Sequence, residues 1–205
     1  KDNALAVIDA ATLAVQTPIA TCKRPRHMQL LPGGKQLLVA CAESNAADLI
    51  DVATRKSIRR VPLGDDPEAF DLSPDGKTLY VSMEDDGALG FVDIASGKMT
   101  KQVPVGKEPE GVKTSADGKL VYVTSEVANM VHVVDVATAK VLHNVKVGKR
   151  PRRMSITPDG TELWVTNELD ASVSIVSTKA HTVIHTLKFT LPGARAQDIT
   201  PVGIV

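Results

Sequence analysis

Aromatic side chains are scarce, with one Trp, two Tyr and three Phe in 205 residues. Proteins that bind nucleic acid strands stack bases on such rings beside a basic groove. Lysine plus arginine number 24 and aspartate plus glutamate also 24, so no basic footprint is present, and nucleic acid is not an expected partner. No apolar run reaches the roughly 18 residues that read as a membrane-spanning helix, so no membrane span is expected in these residues. Only two cysteines occur, Cys22 and Cys41, and no Cys-x-x-Cys-His string, which excludes covalent haem attachment within them. Amphipathic stretches with a 3.6-residue period are also missing, which argues against helical repeats.

What the chain has is a repeat. Gly34, Gly76, Gly118 and Gly160 are spaced 42 residues apart, each inside a near-copy of one phrase: Leu31-Pro-Gly-Gly-Lys35, Ser73-Pro-Asp-Gly-Lys77, Ser115-Ala-Asp-Gly-Lys119 and Thr157-Pro-Asp-Gly-Thr161. Asp9, Asp51, Asp93 and Asp135 keep the same spacing, as do Pro25, Pro67, Pro109 and Pro151, and Tyr80, Tyr122 and Trp164. A period near 42 with four short apolar runs per unit predicts an all-β fold, a β-propeller of four-stranded antiparallel blades. In one unit the strands A to D are expected at Glu68 to Leu72, Thr78 to Met83, Ala88 to Asp93 and Met99 to Val105.

Turn chemistry accounts for the repeated letters. In Ser73-Pro74-Asp75-Gly76 the proline presets φ, the aspartate favours the bend and the glycine accepts a positive φ, closing an A to B hairpin. Asp51, Asp93 and Asp135 open turns between strands C and D, where a carboxylate can take backbone N–H groups two residues on. They recur once per blade and so lie too far apart to share a metal or a reaction.

The chain is expected to be one domain, residues 1–205, with units at about 1–25 (partial), 26–67, 68–109, 110–151 and 152–200, and the start of another at 201–205. It begins in what aligns with a B to C loop and ends just inside a strand A, without an initiator methionine or signal peptide. It therefore reads as a processed or trimmed chain holding about five blades. The stretch Lys188 to Pro201 is longer than the corresponding loops and is expected to protrude.

Tyr122-Val-Thr-Ser125 and Trp164-Val-Thr-Asn167, with Tyr80-Val-Ser-Met83 and Leu38-Val-Ala-Cys41 as worn copies, resemble the Tyr-Val-Thr-Asn (YVTN) family of prokaryotic β-propeller repeats over essentially the whole chain. Within it, Lys149-Arg-Pro-Arg152, Gly106-Lys-Glu-Pro-Glu-Gly111, Ser125-Glu126 with Asn129-Met130, and Pro201-Val-Gly-Ile204 look most like the propellers associated with catabolism dependent on pyrroloquinoline quinone. The resemblance implies a seven-bladed ring, a periplasmic location and a protein partner, a periplasmic dehydrogenase or its cytochrome. No cofactor or metal is expected.

Connectivity puts the B to C and D to A loops on one face and the Pro-Asp-Gly and Asp-initiated turns on the other. The second face hardly varies. The first carries Lys23-Arg-Pro-Arg26, Asp65-Asp-Pro-Glu68, Lys107-Glu-Pro-Glu110 and Lys149-Arg-Pro-Arg152, with Glu84, Glu126 and Glu168 ending each strand B beside them. Variation on a fixed scaffold is where binding residues concentrate. The candidate site at the channel mouth is thus Arg26, His27, Glu68, Glu110, Arg152, Arg153, Glu84, Glu126 and Glu168. Plain solvated loop charges are the competing reading, and reversal of Arg26 and Arg152 is expected to leave stability almost unchanged.

The other titratable residues are quieter. His132, His143 and His185 read as partly exposed strand residues. His181 and His185 lie on one strand face roughly 13 Å apart, too far for one metal. Cys41 is expected opposite Arg26, four residues past Cys22, so a disulfide and two thiols both stay open. Three functions follow: a periplasmic binding or scaffold propeller, a metal- or haem-dependent propeller enzyme of the lactonase or d-type-haem kind, and a cell-surface structural array.

Overall fold

The computed structural model describes residues 3–205. β1 (Ala4–Ile8) and β2 (Val15–Ala20) form a two-stranded sheet. Four four-stranded antiparallel sheets follow. The first holds β3 (Pro25–Leu30), β4 (Gln36–Cys41), β5 (Ala46–Asp51) and β6 (Lys56–Pro62), and the second β7 (Pro67–Leu72), β8 (Thr78–Met83), β9 (Ala88–Asp93) and β10 (Lys98–Pro104). The third holds β11 (Pro109–Thr114), β12 (Leu120–Ser125), β13 (Met130–Asp135) and β14 (Lys140–Lys146), and the fourth β15 (Pro151–Ile156), β16 (Glu162–Asn167), β17 (Ser172–Ser177) and β18 (Thr182–Lys188). The only helical pieces among the described residues are three 3-10 turns of three residues each.

Each sheet is a blade. Its strands follow chain order, and the core lies between blades. Leu38, Ala40 and Leu49 of the first blade pack with Phe70, Leu72, Leu79 and Val81 of the second. Tyr80, Leu89 and Phe91 repeat this against Val112, Val121 and Val123, and Tyr122, Val131 and Val133 against Met154, Leu163 and Val165. The equivalent tyrosines thus take equivalent buried places. Outer strands carry a polar side: β10 buries Val103 but exposes Thr100 and Lys101. Met28 and Leu30 fill the slots of Phe70 and Leu72, yet are 56% and 52% exposed, since the facing sheet there has only β1 and β2.

The turns close as the sequence implies. The Gly76 N–H donates to the Ser73 carbonyl at 2.8 Å, and the Ser73 hydroxyl donates to Asp75 Oδ1 at 2.6 Å. Gly76 has φ +68°, and a Cβ there would also meet Pro32 Cδ of the preceding blade at 2.7 Å. The C to D turns differ in detail from expectation. Asp51, Asp93 and Asp135 each accept the N–H of the third residue on, Thr54, Ser96 and Thr138, at 2.7 Å.

Two local expectations are corrected. Cys41 pairs with Pro25 rather than Arg26, one residue nearer Cys22, because β3 and β4 slip register between Pro25 and His27. Cys22 and Cys41, their Cα atoms 5.7 Å apart, form a disulfide. His132 is buried, and its Nδ1 lies 2.6 Å from Asn144 Oδ1. Between blades, His143 and His181 stack with ring centroids 4.3 Å apart.

Candidate functional site

The site is built on a bulge. In β7, β11 and β15 the pairing with the next strand shifts register across the second and third residues, Glu68-Ala69, Glu110-Gly111 and Arg152-Arg153. A buried hydroxyl from the neighbouring strand holds each one. Ser82 takes the Ala69 N–H at 3.0 Å and donates to the Glu110 carbonyl of the next blade at 2.7 Å. Thr124 takes the Gly111 N–H at 2.7 Å and donates to the Arg152 carbonyl at 2.9 Å. Thr166 takes the Arg153 N–H at 3.1 Å and lies 3.1 Å from the Val202 carbonyl. Residues 201–205 form no strand, yet Val202 receives the contact that Arg152 receives one blade earlier. In the first blade this slot is Ala40, which lacks a hydroxyl, and His27 pairs directly with it. A bulge re-aims side chains; here it turns the second residue of each inner strand toward its counterparts around the axis.

Those residues form a charged collar. The Arg26 guanidinium bonds Glu68 and reaches Glu110 Oε1 at 3.8 Å. Arg152 Nη1 lies 2.8 Å from Glu110 Oε1 and also bonds Glu126. Arg150 Nε donates to Glu126 Oε2 at 2.6 Å and is 3.4 Å from Glu168 Oε2, and Arg24 lies 3.3 Å from Asp66 and 3.7 Å from Glu68. Glu68, Glu110 and Glu126 are buried, and the Arg152 side chain is only 16% exposed. The collar glutamates are therefore not solvated loop charges; Arg26 is exposed as expected, and Arg152 is not. Reversing Arg152 would set a third carboxylate beside two buried ones, a strongly destabilising change.

Glu84 stands apart. It lies with Asp66 and Glu68, one carboxylate oxygen of each within 4.8 Å of the others, and has no ion pair among the described residues. Burial, and then the charges of Glu68, Asp66 and Glu110, push its carboxyl up to about 7. Glu68 is raised as well, by burial and by Glu110, with Arg26 opposing. Among the described residues this trio is the one place where a cation would find three carboxylates, though Arg24 and Arg26 already neutralise two of them.

His27 and Arg153 leave the collar and line the channel beneath it. Residues at alternate inner-strand positions, among them His27, Asp71, Lys113 and Arg153, surround a cavity of about 530 Å³. His27 packs edge-on to Phe70 with centroids 4.8 Å apart, and burial, then Arg153, lower its pKa to about 4. The structure thus brings Arg26, Glu68, Glu110, Arg152, Glu126 and Glu168 together, sets Glu84 beside them, keeps Arg153 within 4.0 Å of Glu110 from the channel side and separates His27. Sequence reasoning missed Arg24, Asp66 and Arg150, the residues before each repeated proline, and Asp71 and Lys113. Their signal was positional: they vary in slots adjacent to the ones singled out.

A YNCE-like β-propeller family model matches residues 44–116, and a model described as lactonase, 7-bladed β-propeller matches residues 97–195. The fold is a β-propeller. A solved chain of Kuenenia stuttgartiensis hydrazine synthase is similar, with a TM-score of 0.75 and 27% identity over 79% of this chain and 48% of that one. The present chain thus spans about half the length of that chain. No curated protein matches in sequence. Since 1469 solved chains match, likeness to this propeller identifies a common scaffold and selects no activity. None of these matches carries the narrower quinone-associated group that the motifs resemble.

Proposed function

We propose that this propeller is a non-enzymatic binding or scaffold protein of an oxidising, extracytoplasmic compartment, the bacterial periplasm. It docks a protein partner on the face of the D to A and B to C loops. The resemblance of its motifs makes a quinone-dependent dehydrogenase or its cytochrome the partner of choice. The observation that carries the reading is a depression of about 280 Å³ between the third and fourth blades, lined by Val127, Leu169, Lys149, Arg150 and Glu126 among others. Val127 and Leu169 are 55% and 48% exposed at loop tips beside collar charges already paired with one another. Exposed apolar anchors beside a fixed polar rim are what protein interfaces use. The Cys22–Cys41 disulfide supports the compartment, since such bonds persist where thiols are not kept reduced.

The test is biosensor binding of the purified dehydrogenase or cytochrome to the immobilised propeller. Val127→Asp with Leu169→Asp should weaken binding about tenfold or more. Lys77→Glu with Lys119→Glu, on the opposite face, should not. Equal, negligible effects of both pairs would remove the docking face. A second reading, a metal-dependent propeller enzyme, rests on the Asp66, Glu68 and Glu84 trio. Stoichiometric metal recovered with the protein and lost on Glu84→Gln would select it.

A further inference from the structure

We propose that the central cavity is a binding site for a small organic carboxylate, whose charged end is held by Arg153 and Lys113 and whose apolar end lies against Met28. This site is separate from the loop face and does not depend on the docking reading. Its volume, about 530 Å³, is that of a small-molecule pocket.

The anchor is Arg153. Its Nη1 is buried and turned toward Glu110 Oε2, 4.0 Å away and without a hydrogen bond. The 24% of the side chain that stays exposed therefore belongs to its other atoms, and that part lines the cavity. A guanidinium with one nitrogen buried and unpartnered and the rest open to the cavity has donors to spare in a planar fork, the geometry that matches a carboxylate. Lys113 supplies the second charge. Its Nζ is 3.5 Å from Asp71 Oδ2 and its side chain is 38% exposed. Asp71 is largely committed elsewhere, with its two oxygens accepting the N–H groups of Thr114 at 2.8 Å and Leu72 at 2.9 Å. An ammonium has three donors, so Lys113 keeps donors for a ligand.

The field in the cavity has the matching sign. His27 senses it: Arg153 and Lys113 both disfavour its protonation, and only Asp71 opposes them. A neutral imidazole beside two cations leaves a surplus of positive charge on the wall, which an entering anion offsets and an entering cation does not. Met28, 56% exposed, gives that wall an apolar section for the body of the ligand. Inorganic anions have no use for such a surface.

Benzoate is the probe, with benzyl alcohol as its neutral counterpart and inorganic phosphate as an anion without an apolar body. Calorimetric titration of the purified protein should show saturable one-site binding of benzoate and none of the other two. Arg153→Met should weaken it about tenfold or more, because a charge-assisted pair is lost. Lys113→Met, which leaves the collar untouched, should weaken it several-fold and serves if Arg153→Met fails to fold. In the unaltered protein, saturating benzoate should raise the pH at which the His27 ring protons titrate, assigned by comparison with His27→Gln. Equal binding of benzoate and benzyl alcohol, binding of phosphate in place of benzoate, unchanged affinity in both variants, or a His27 titration indifferent to benzoate would each overturn the site.

Discussion

Thr124 has no exposed surface, and its hydroxyl joins two backbones: it accepts from Gly111 within its own blade and donates to Arg152 of the next. Valine has nearly the same shape and no hydroxyl. Thr124→Val would leave a buried N–H and a buried carbonyl without partners, each costing about 1–3 kcal/mol. The expected outcome is a loss of a few kcal/mol in denaturant unfolding. Unfolding unchanged within error would show that the bulge holds itself. The threonine of the repeated motif was visible as a letter in the sequence, but its role was not. That role needs a bulge in a strand 13 residues away and a carbonyl 28 residues away, and neither relation is written in a local pattern.

Strands and turns were legible to within a residue because their causes are local. The run expected at Glu68 to Leu72 is β7, Pro67–Leu72, and the one at Met99 to Val105 is β10, Lys98–Pro104. Period-2 patterning and Pro-Asp-Gly chemistry act within one hairpin. Contacts between elements are another matter. A Cβ on Gly111 would fall on the Arg152 carbonyl oxygen, so β11 and β15 approach as closely as they do only because that position has no side chain. The equivalent slots hold His27, Ala69 and Arg153, so the sequence alone did not single out this glycine. Gly111→Ala should cost about 1–3 kcal/mol by overpacking, and should raise amide exchange in β11 and β15 more than in β3 and β7. Uniform exchange across the blades would contradict a local strand-to-strand cause.

Across the whole molecule the collar couples blades through pairs such as Arg24 with Asp66 and Arg26 with Glu68, each spanning one 42-residue repeat. That Arg26 and Arg152 flank Glu68 and Glu110 at the axis was legible from the repeat slots, but the pairing of Arg24 with Asp66 was not, because like slots meet only once the blades are wound about an axis. Glu84 is the carboxylate left over, and it makes the assembly sensitive to pH. Its folded pKa of about 7 lies above its ordinary value of 4.5, so between these values the folded state holds a proton that the unfolded state releases. Its contribution is therefore fully present below about 4.5 and is lost as pH rises through about 7. His27, lowered to about 4 from 6.5, acts the other way: its contribution is present above 6.5 and is lost as pH falls toward 4. The two oppose each other in one window, so a stability curve of the parent protein alone hides both. Glu84→Gln separates them, because glutamine stays neutral. The variant's stability relative to the parent should grow between pH 4.5 and about 7 and then level off. Denaturant midpoints at half-unit pH steps would read this difference directly. Parallel curves for the two proteins would mean that Glu84 ionises at ordinary pH beside Glu68 and Asp66, which in turn would require a cation among the three.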